Sequence, residues 1–210
     1  MDGPDWRATV RLEPAAEITD AIDRRRPLVA REGTVSVTEL VDPRPAFFRR
    51  RSPVPVPPGR RRRQAAGRAL HERIGSALAA PGHREIRVRR GGIVGFVDLV
   101  EELPIELKTT ERLPADGPIA ESRPSYLEQL AWYCALLGAD RGRLLVVADD
   151  GGRPGACRVF DVAIADRDRL LEELDRRAAA LRSALAAGSP DLLPRCRWVG
   201  RGCEFASAGV

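Results

Sequence analysis

Lysine is nearly absent from this chain of 210 residues: of its 35 Lys and Arg side chains only Lys108 is a lysine, and every other one is an arginine. A bias of this size reflects a coding background that favours arginine, under which a lysine persists most readily where a guanidinium cannot replace an ammonium. Cysteine is sparse as well. The four, at positions 134, 157, 196 and 203, make no disulfide scaffold in a chain of this length, and Met-Asp-Gly-Pro-Asp-Trp at the start has no apolar signal core. A reducing, cytoplasmic setting is the expectation that follows. No apolar run is long enough to span a bilayer, so no membrane partner is expected.

What is present suffices for one good core. At 43% hydrophobic composition the chain reads as a single domain over 1–210, with 1–33 an N-terminal extension of unassigned role and 52–59 a proline-rich spacer. The net charge of +5 suits a polyanionic partner, although 30 acidic residues keep the surface mixed. Periodicity predicts a short helix around Ala15 to Arg26, then an extended lead-in at Thr34 and a helix start capped by Ser36 or Thr38 with Glu39 in its first turn. Arg60 to Ala80 has helical spacing, with Ala66, Leu70, Ile74, Ala77 and Leu78 as its apolar stripe and His71 beside it. Glu85 to Arg89, Ile93 to Val100 and Leu103 to Thr109 read as a three-strand meander that turns near Glu101 and Glu102. Ser125 to Gly138 is an amphipathic helix, Arg143 to Ala148 and Cys157 to Ala163 are strands, and Asp166 to Ala187 is a closing helix. The order implies a mixed α/β fold, a central sheet flanked by helices.

Within that order, Asp98 lies on one strand and Glu106-x-Lys108 on the next. Side chains alternate along a strand, so Val94, Phe96 and Asp98 are expected on one side of the first, Glu106 and Lys108 together on the second, with Leu103, Ile105 and Leu107 turned into the core. Carboxylates so placed can hold a divalent cation, and an ammonium beside them can meet negative charge developing on a phosphodiester. An ordinary solvated strand face, or a lysine kept by chance, is the alternative. An Asp between Val97 and Leu99 is unusual for a purely structural carboxylate. Gln129 shares a helical stripe with Tyr126, Leu130 and Tyr133, where a buried amide needs a partner.

With Gly67-Arg-Ala-Leu-His71, Gly95-Phe-Val-Asp98, Ile105-Glu-Leu-Lys108 and Tyr126-Leu-Glu-Gln129-Leu-Ala-Trp-Tyr133 in this order and at these intervals, the chain resembles the PD-(D/E)XK nuclease superfamily. It is most similar to the RecB-like branch and its CRISPR-associated exonucleases, from about Val35 onward. The resemblance implies a restriction-endonuclease-like core and a deoxyribonuclease acting on DNA ends or single strands, with CRISPR-adaptation or repair proteins as partners. It implies Asp98, Glu106, Lys108, Gln129 and Tyr133 as catalytic, and His71, Asp98, Glu106 and the Leu107 carbonyl as holders of Mg2+ or Mn2+, histidine favouring Mn2+. A non-catalytic DNA-binding or adaptor subunit on the same fold is the alternative.

Relatives of this kind commonly carry an iron-sulfur cluster on one N-terminal and three C-terminal cysteines. Here Asp42 stands at the first position and Gly200 and Gly209 at two of the others, leaving Cys203 with Cys196 nearby. Two thiolates fall short of the usual four, so no cluster is expected. Pro194, Trp198 and Phe205 are candidates to pack there instead, and Cys134 and Cys157 read as inert core thiols. The arginines at 49–51 and 60–63 are candidates for phosphate contact, and Phe47 and Phe48 for base stacking or, more simply, core packing.

Overall fold

A computed structural model of the chain describes residues 33–53, 55, 58–114, 118–196 and 205. The helix expected around Ala15 to Arg26 lies outside them. β1 (Val35–Ser36) runs straight into α1 (Val37–Val41), because the Ser36 hydroxyl accepts from the Glu39 amide at 3.2 Å while Glu39 Oε2 accepts from the Ser36 amide at 2.7 Å. This reciprocal cap matches the Ser36 expectation. α2 (Pro43–Arg51) follows, a helix that periodicity does not announce; its prolines 43 and 45 fall in the first turn, where no intrahelical amide bond is lost.

α3 (Pro58–Leu78) takes Pro58 and Gly59 out of the expected spacer, again with proline starting the helix. Its apolar stripe is narrower than predicted. Leu70 and Ile74 are buried, whereas Ala66 and Ala77 are exposed and Leu78 is 51% exposed, because α3 rests chiefly on a single strand. A 3-10 turn (Pro81–His83) leads to β2 (Arg84–Arg90), β3 (Ile93–Val100) and β4 (Pro104–Thr110). After α4 (Ile119–Ser122), α5 (Pro124–Leu137) ends on Gly138 at φ +73°, a left-handed cap that glycine adopts without strain. β5 (Arg141–Asp150) and β6 (Arg153–Ala163) form a hairpin longer than predicted, and α6 (Arg167–Ala187) starts on Asp166, whose side chain accepts from the Arg169 amide at 2.9 Å.

The sheet is mixed. β2, β3 and β4 are antiparallel neighbours, β4 and β5 are parallel, and β5 and β6 antiparallel. β1 joins β3 in parallel through Val35 opposite Ile93 and Ser36 opposite Val94. On one face α5, with α1 and α6, buries the main core; on the other α3 covers a smaller patch of Leu70, Ile74, Leu107 and Val147. This is the central mixed sheet flanked by helices expected of a restriction-endonuclease-like core.

One topological detail sets up the site. β2 pairs along one edge of β3 from Ile93 to Leu99, so β1 and β4 must share the other edge. β1 takes Ile93 and Val94, and β4 takes only Leu99 and Val100. Gly95 to Asp98 are left with no strand partner on that edge, and β3 and β4 splay apart there.

Candidate active site

The splay frees a polar group from each strand. Leu107 would face Val97 if the β3–β4 ladder continued; its amide instead donates to Asp98 Oδ2 at 2.8 Å. The N–H and C=O of one strand residue point to the same edge, so the Leu107 carbonyl also faces the split. Asp98 Oδ2 in turn lies 3.2 Å from His71 Nε2 on α3. That hydrogen bond raises the His71 pKa most, against the opposing effect of burial, with the charges of Asp98 and Glu106 adding to the rise.

Glu106 and Lys108 project to the α5 side of β4. The alternative of a solvated strand face is not what the structure has: Glu106 is 1% exposed, because α5 closes over it. Its Oε1 pairs with Lys108 Nζ at 2.6 Å, and its Oε2 is buried without a hydrogen-bond partner. Lys108 Nζ also donates to Gln129 Oε1 at 2.9 Å and sits 5.4 Å from the centre of the Tyr126 ring. Gln129 Nε2 donates to the Tyr133 hydroxyl at 3.3 Å. The amide on the apolar stripe thus has its partners, and Lys108 is held from three sides. Burial pushes the Glu106 carboxyl up to about 7 against the pull of Lys108, and the neighbouring carboxylates keep Lys108 protonated despite burial, its pKa above the ordinary value. Burial, then the Glu106 charge, raises Tyr133. Gly95 makes the seat for its ring: a Cβ there would come within 2.6 Å of the Tyr133 ring and 2.9 Å of Val37.

Among the described residues no three His, Cys, Asp or Glu side chains form a ready metal cage. The donors present nonetheless suit a hard divalent cation. The Glu106 Oε2 has no other use, Asp98 and Glu106 are close enough to feel each other's charge, and the Leu107 carbonyl faces the same split. His71 reaches the site through Asp98.

Other expectations are sharpened or corrected. Arg50 is spent on structure: it donates to both Glu39 oxygens at 2.7 Å and to the Thr34 carbonyl at 2.8 Å. Phe47 is buried core, edge-on to Phe48, and Phe48 stacks on Phe205 with ring centres 5.7 Å apart. Asp42 accepts from the Cys196 thiol at 3.5 Å beside that stack, and Arg44 donates to the carbonyls of Pro190 and Leu193 at 3.1 Å. Leu193 is buried there and Pro194 exposed, the reverse of the expectation for Pro194; Trp198, Gly200, Cys203 and Gly209 lie outside the described residues. Cys134 is buried, as read, but Cys157 is exposed, since it lies on the outer strand β6.

Sequence reasoning missed Arg177. Its Nη2 pairs with Glu128 and its Nε with Glu173, each at 2.6 Å, Nη1 donates to the Leu40 carbonyl at 3.1 Å, and the guanidinium lies 4.9 Å from the Trp132 ring centre. One arginine among so many carries no signal of its own. The usable cue is Glu128, an acid inside an otherwise apolar helix.

No known family's sequence profile matches this chain, and no curated protein sequence does. Solved structures do. The crystal structure of SSO0001 has 21% sequence identity and a TM-score of 0.61, covering 86% of this chain and 87% of its own. An alkaline exonuclease from Laribacter hongkongensis has 16% identity and a TM-score of 0.44 over 76% of this chain and 91% of its own. A phage-related exonuclease from Haemophilus somnus 129PT has 14% and 0.48 over 71% and 81%. The first shares the fold. No helix among the described residues is long and apolar enough to cross a membrane.

Proposed function

We propose that this chain is a divalent-metal-dependent deoxyribonuclease in a single domain, of the RecB-like exonuclease kind, acting on DNA ends or single strands in CRISPR adaptation or repair. The observation that carries the reading is the buried Glu106 Oε2 with no partner, beside Asp98 and Lys108 at the split between two strands. Asp98, Glu106 and the Leu107 carbonyl would hold Mg2+ or Mn2+, with His71 as a further donor. Such a cation, when bound, polarises the scissile phosphate and acidifies a water. Lys108 supplies a fixed positive charge for the crowded phosphate, and Gln129 keeps its ammonium aimed there while Tyr133 holds Gln129. His71 steadies the Asp98 carboxylate.

The second reading, a DNA-binding or adaptor subunit without catalysis, is favoured by one observation: Glu106 Oε1 is already taken by Lys108. One assay separates the two. Single- and double-stranded DNA incubated with Mn2+ is degraded by the wild type and left intact by Asp98→Ala and Lys108→Ala; a folded wild type that binds DNA and leaves it intact returns the adaptor.

A further inference from the structure

β2 and β3 carry a feature that the cleavage centre does not use. Arg87 stands opposite Phe96 and Arg89 opposite Val94, and directly opposed residues share one face of a sheet. The other face of these strands holds Ile86, Val88 and Gly95 beneath α1 and α5, so Arg87, Arg89 and Phe96 project away from that core. α3 lies on their side of the sheet but packs on β4.

Phe96 is half-buried, pairs with no other ring among the described residues and joins none of the apolar clusters. It precedes Asp98 by two residues, about 7 Å along a strand. Neither Arg87 nor Arg89 has a hydrogen bond or ion pair among the described residues, and Arg87 Nε is buried without an acceptor. Arg90, next in sequence, is by contrast paired with Asp175 at 2.9 Å. A guanidinium that has lost water and gained no acceptor is costly, and an arriving phosphate oxygen would meet that need. Glu85, the acidic residue at the site end of β2, is engaged in an interaction of its own.

We infer that this face is a track for single-stranded DNA leading into the Asp98 site, with Phe96 stacking on a base and Arg87 and Arg89 holding its phosphates. The inference rests on the nuclease reading for the destination of the strand. Unpaired bases offer the ring a free face, which a stacked duplex does not. Two guanidiniums with no acceptor among the described residues supply the charge match.

The test is fluorescence anisotropy of a labelled oligothymidylate, and of a closed duplex without single-stranded ends, across a sodium chloride series in an Asp98→Ala background. Phe96→Ala is expected to weaken oligothymidylate binding about 10- to 100-fold, with Phe96→Trp restoring it. Arg87→Gln and Arg89→Gln should each flatten the slope of log affinity against log salt by about 0.7. Duplex affinity should stay unchanged. Arg89 is exposed, so Arg89→Gln decides the matter even if Phe96→Ala or Arg87→Gln fails to fold. Unaltered oligothymidylate binding and salt slope, or equal losses on the duplex, overturn the track. Cleavage by the wild type with those unaltered affinities removes the track and leaves the nuclease; the expected binding pattern without cleavage does the reverse.

Discussion

Adjacent residues on α5, Glu128 and Gln129, enter two buried charge clusters in different settings, one between helices and one at the split between β3 and β4. Around Glu128, every nitrogen of Arg177 has an acceptor: Glu128, Glu173 and the Leu40 carbonyl. That cluster bolts α5 and α6 to the end of α1. Around Gln129, the Glu106–Lys108 pair leaves a carboxylate oxygen unmatched at a place where two strands have parted. A low-dielectric interior penalises unmatched charge. The Arg177 cluster, enclosed between helices, therefore reads as architecture, and the one at the parted strands as a seat for something that arrives from solution.

Four changes would break or sharpen this contrast. The largest effect is expected for Glu106→Gln, which keeps a hydrogen bond to Lys108 and removes the charge. Cleavage should fall by about 10³-fold while the melting temperature holds or rises, measured by strand-degradation kinetics beside thermal unfolding. Arg177→Ala should do the opposite: stability falls by about 3–5 kcal/mol, because Glu128 is left buried without it. Urea unfolding reads this, and the activity that remains per folded molecule at low temperature should be near that of wild type.

Gly95→Ala comes third and touches both. The added methyl group meets the Tyr133 ring and Val37, so a loss of about 1–3 kcal/mol is expected, together with reduced cleavage from a displaced Gln129. Unchanged kinetics in a destabilised Gly95→Ala protein would show that Tyr133 is core alone. The smallest effect belongs to Glu39, an ion-paired carboxylate nearer the surface. Burial works to raise its pKa, but Arg50 and the Ser36 amide and hydroxyl outweigh this and hold it below the ordinary 4.5. Its contribution is therefore complete above the unfolded pKa and is lost as pH falls through the lowered folded value. The urea midpoint should drop on acidification, and Glu39→Gln should lessen that drop by about 0.5 kcal/mol.

Much of this was legible from periodicity, and where it was not, the reasons are physical. β3 matches its expected span because Gly91-Gly92 and the Glu101-Glu102 turn bracket an apolar run. α5 and α6 were delimited by Gly138 and Asp166, whose capping chemistry is local. β5 and β6 ran longer than predicted because their far ends are polar, and hydrogen bonding across a hairpin continues past the apolar stretch. Asp98, Glu106 and Lys108 were found through their strand spacing, but the burial of Glu106 depends on α5 folding over it from a distant part of the chain. Phe96 was placed on the side of Asp98 and Arg87 within a strand, but neither was given a role. Their meaning lies in a cross-strand pairing and in the absence of acceptors, neither of which a one-dimensional text displays.

The shared edge of β3 has a consequence for how the molecule assembles. β4 can zip onto β3 as part of a local hairpin, whereas β1 must arrive across the whole of α2 and α3 to take the remaining end, a distant and entropically expensive contact made by two residues. Its docking is therefore a late event in folding and an early one to fray. When it lets go, α1 lifts with it, and Tyr133 loses its side-chain hydrogen bond to Thr38. The candidate site would thus be loosened from one small corner, long before the rest of the sheet comes undone.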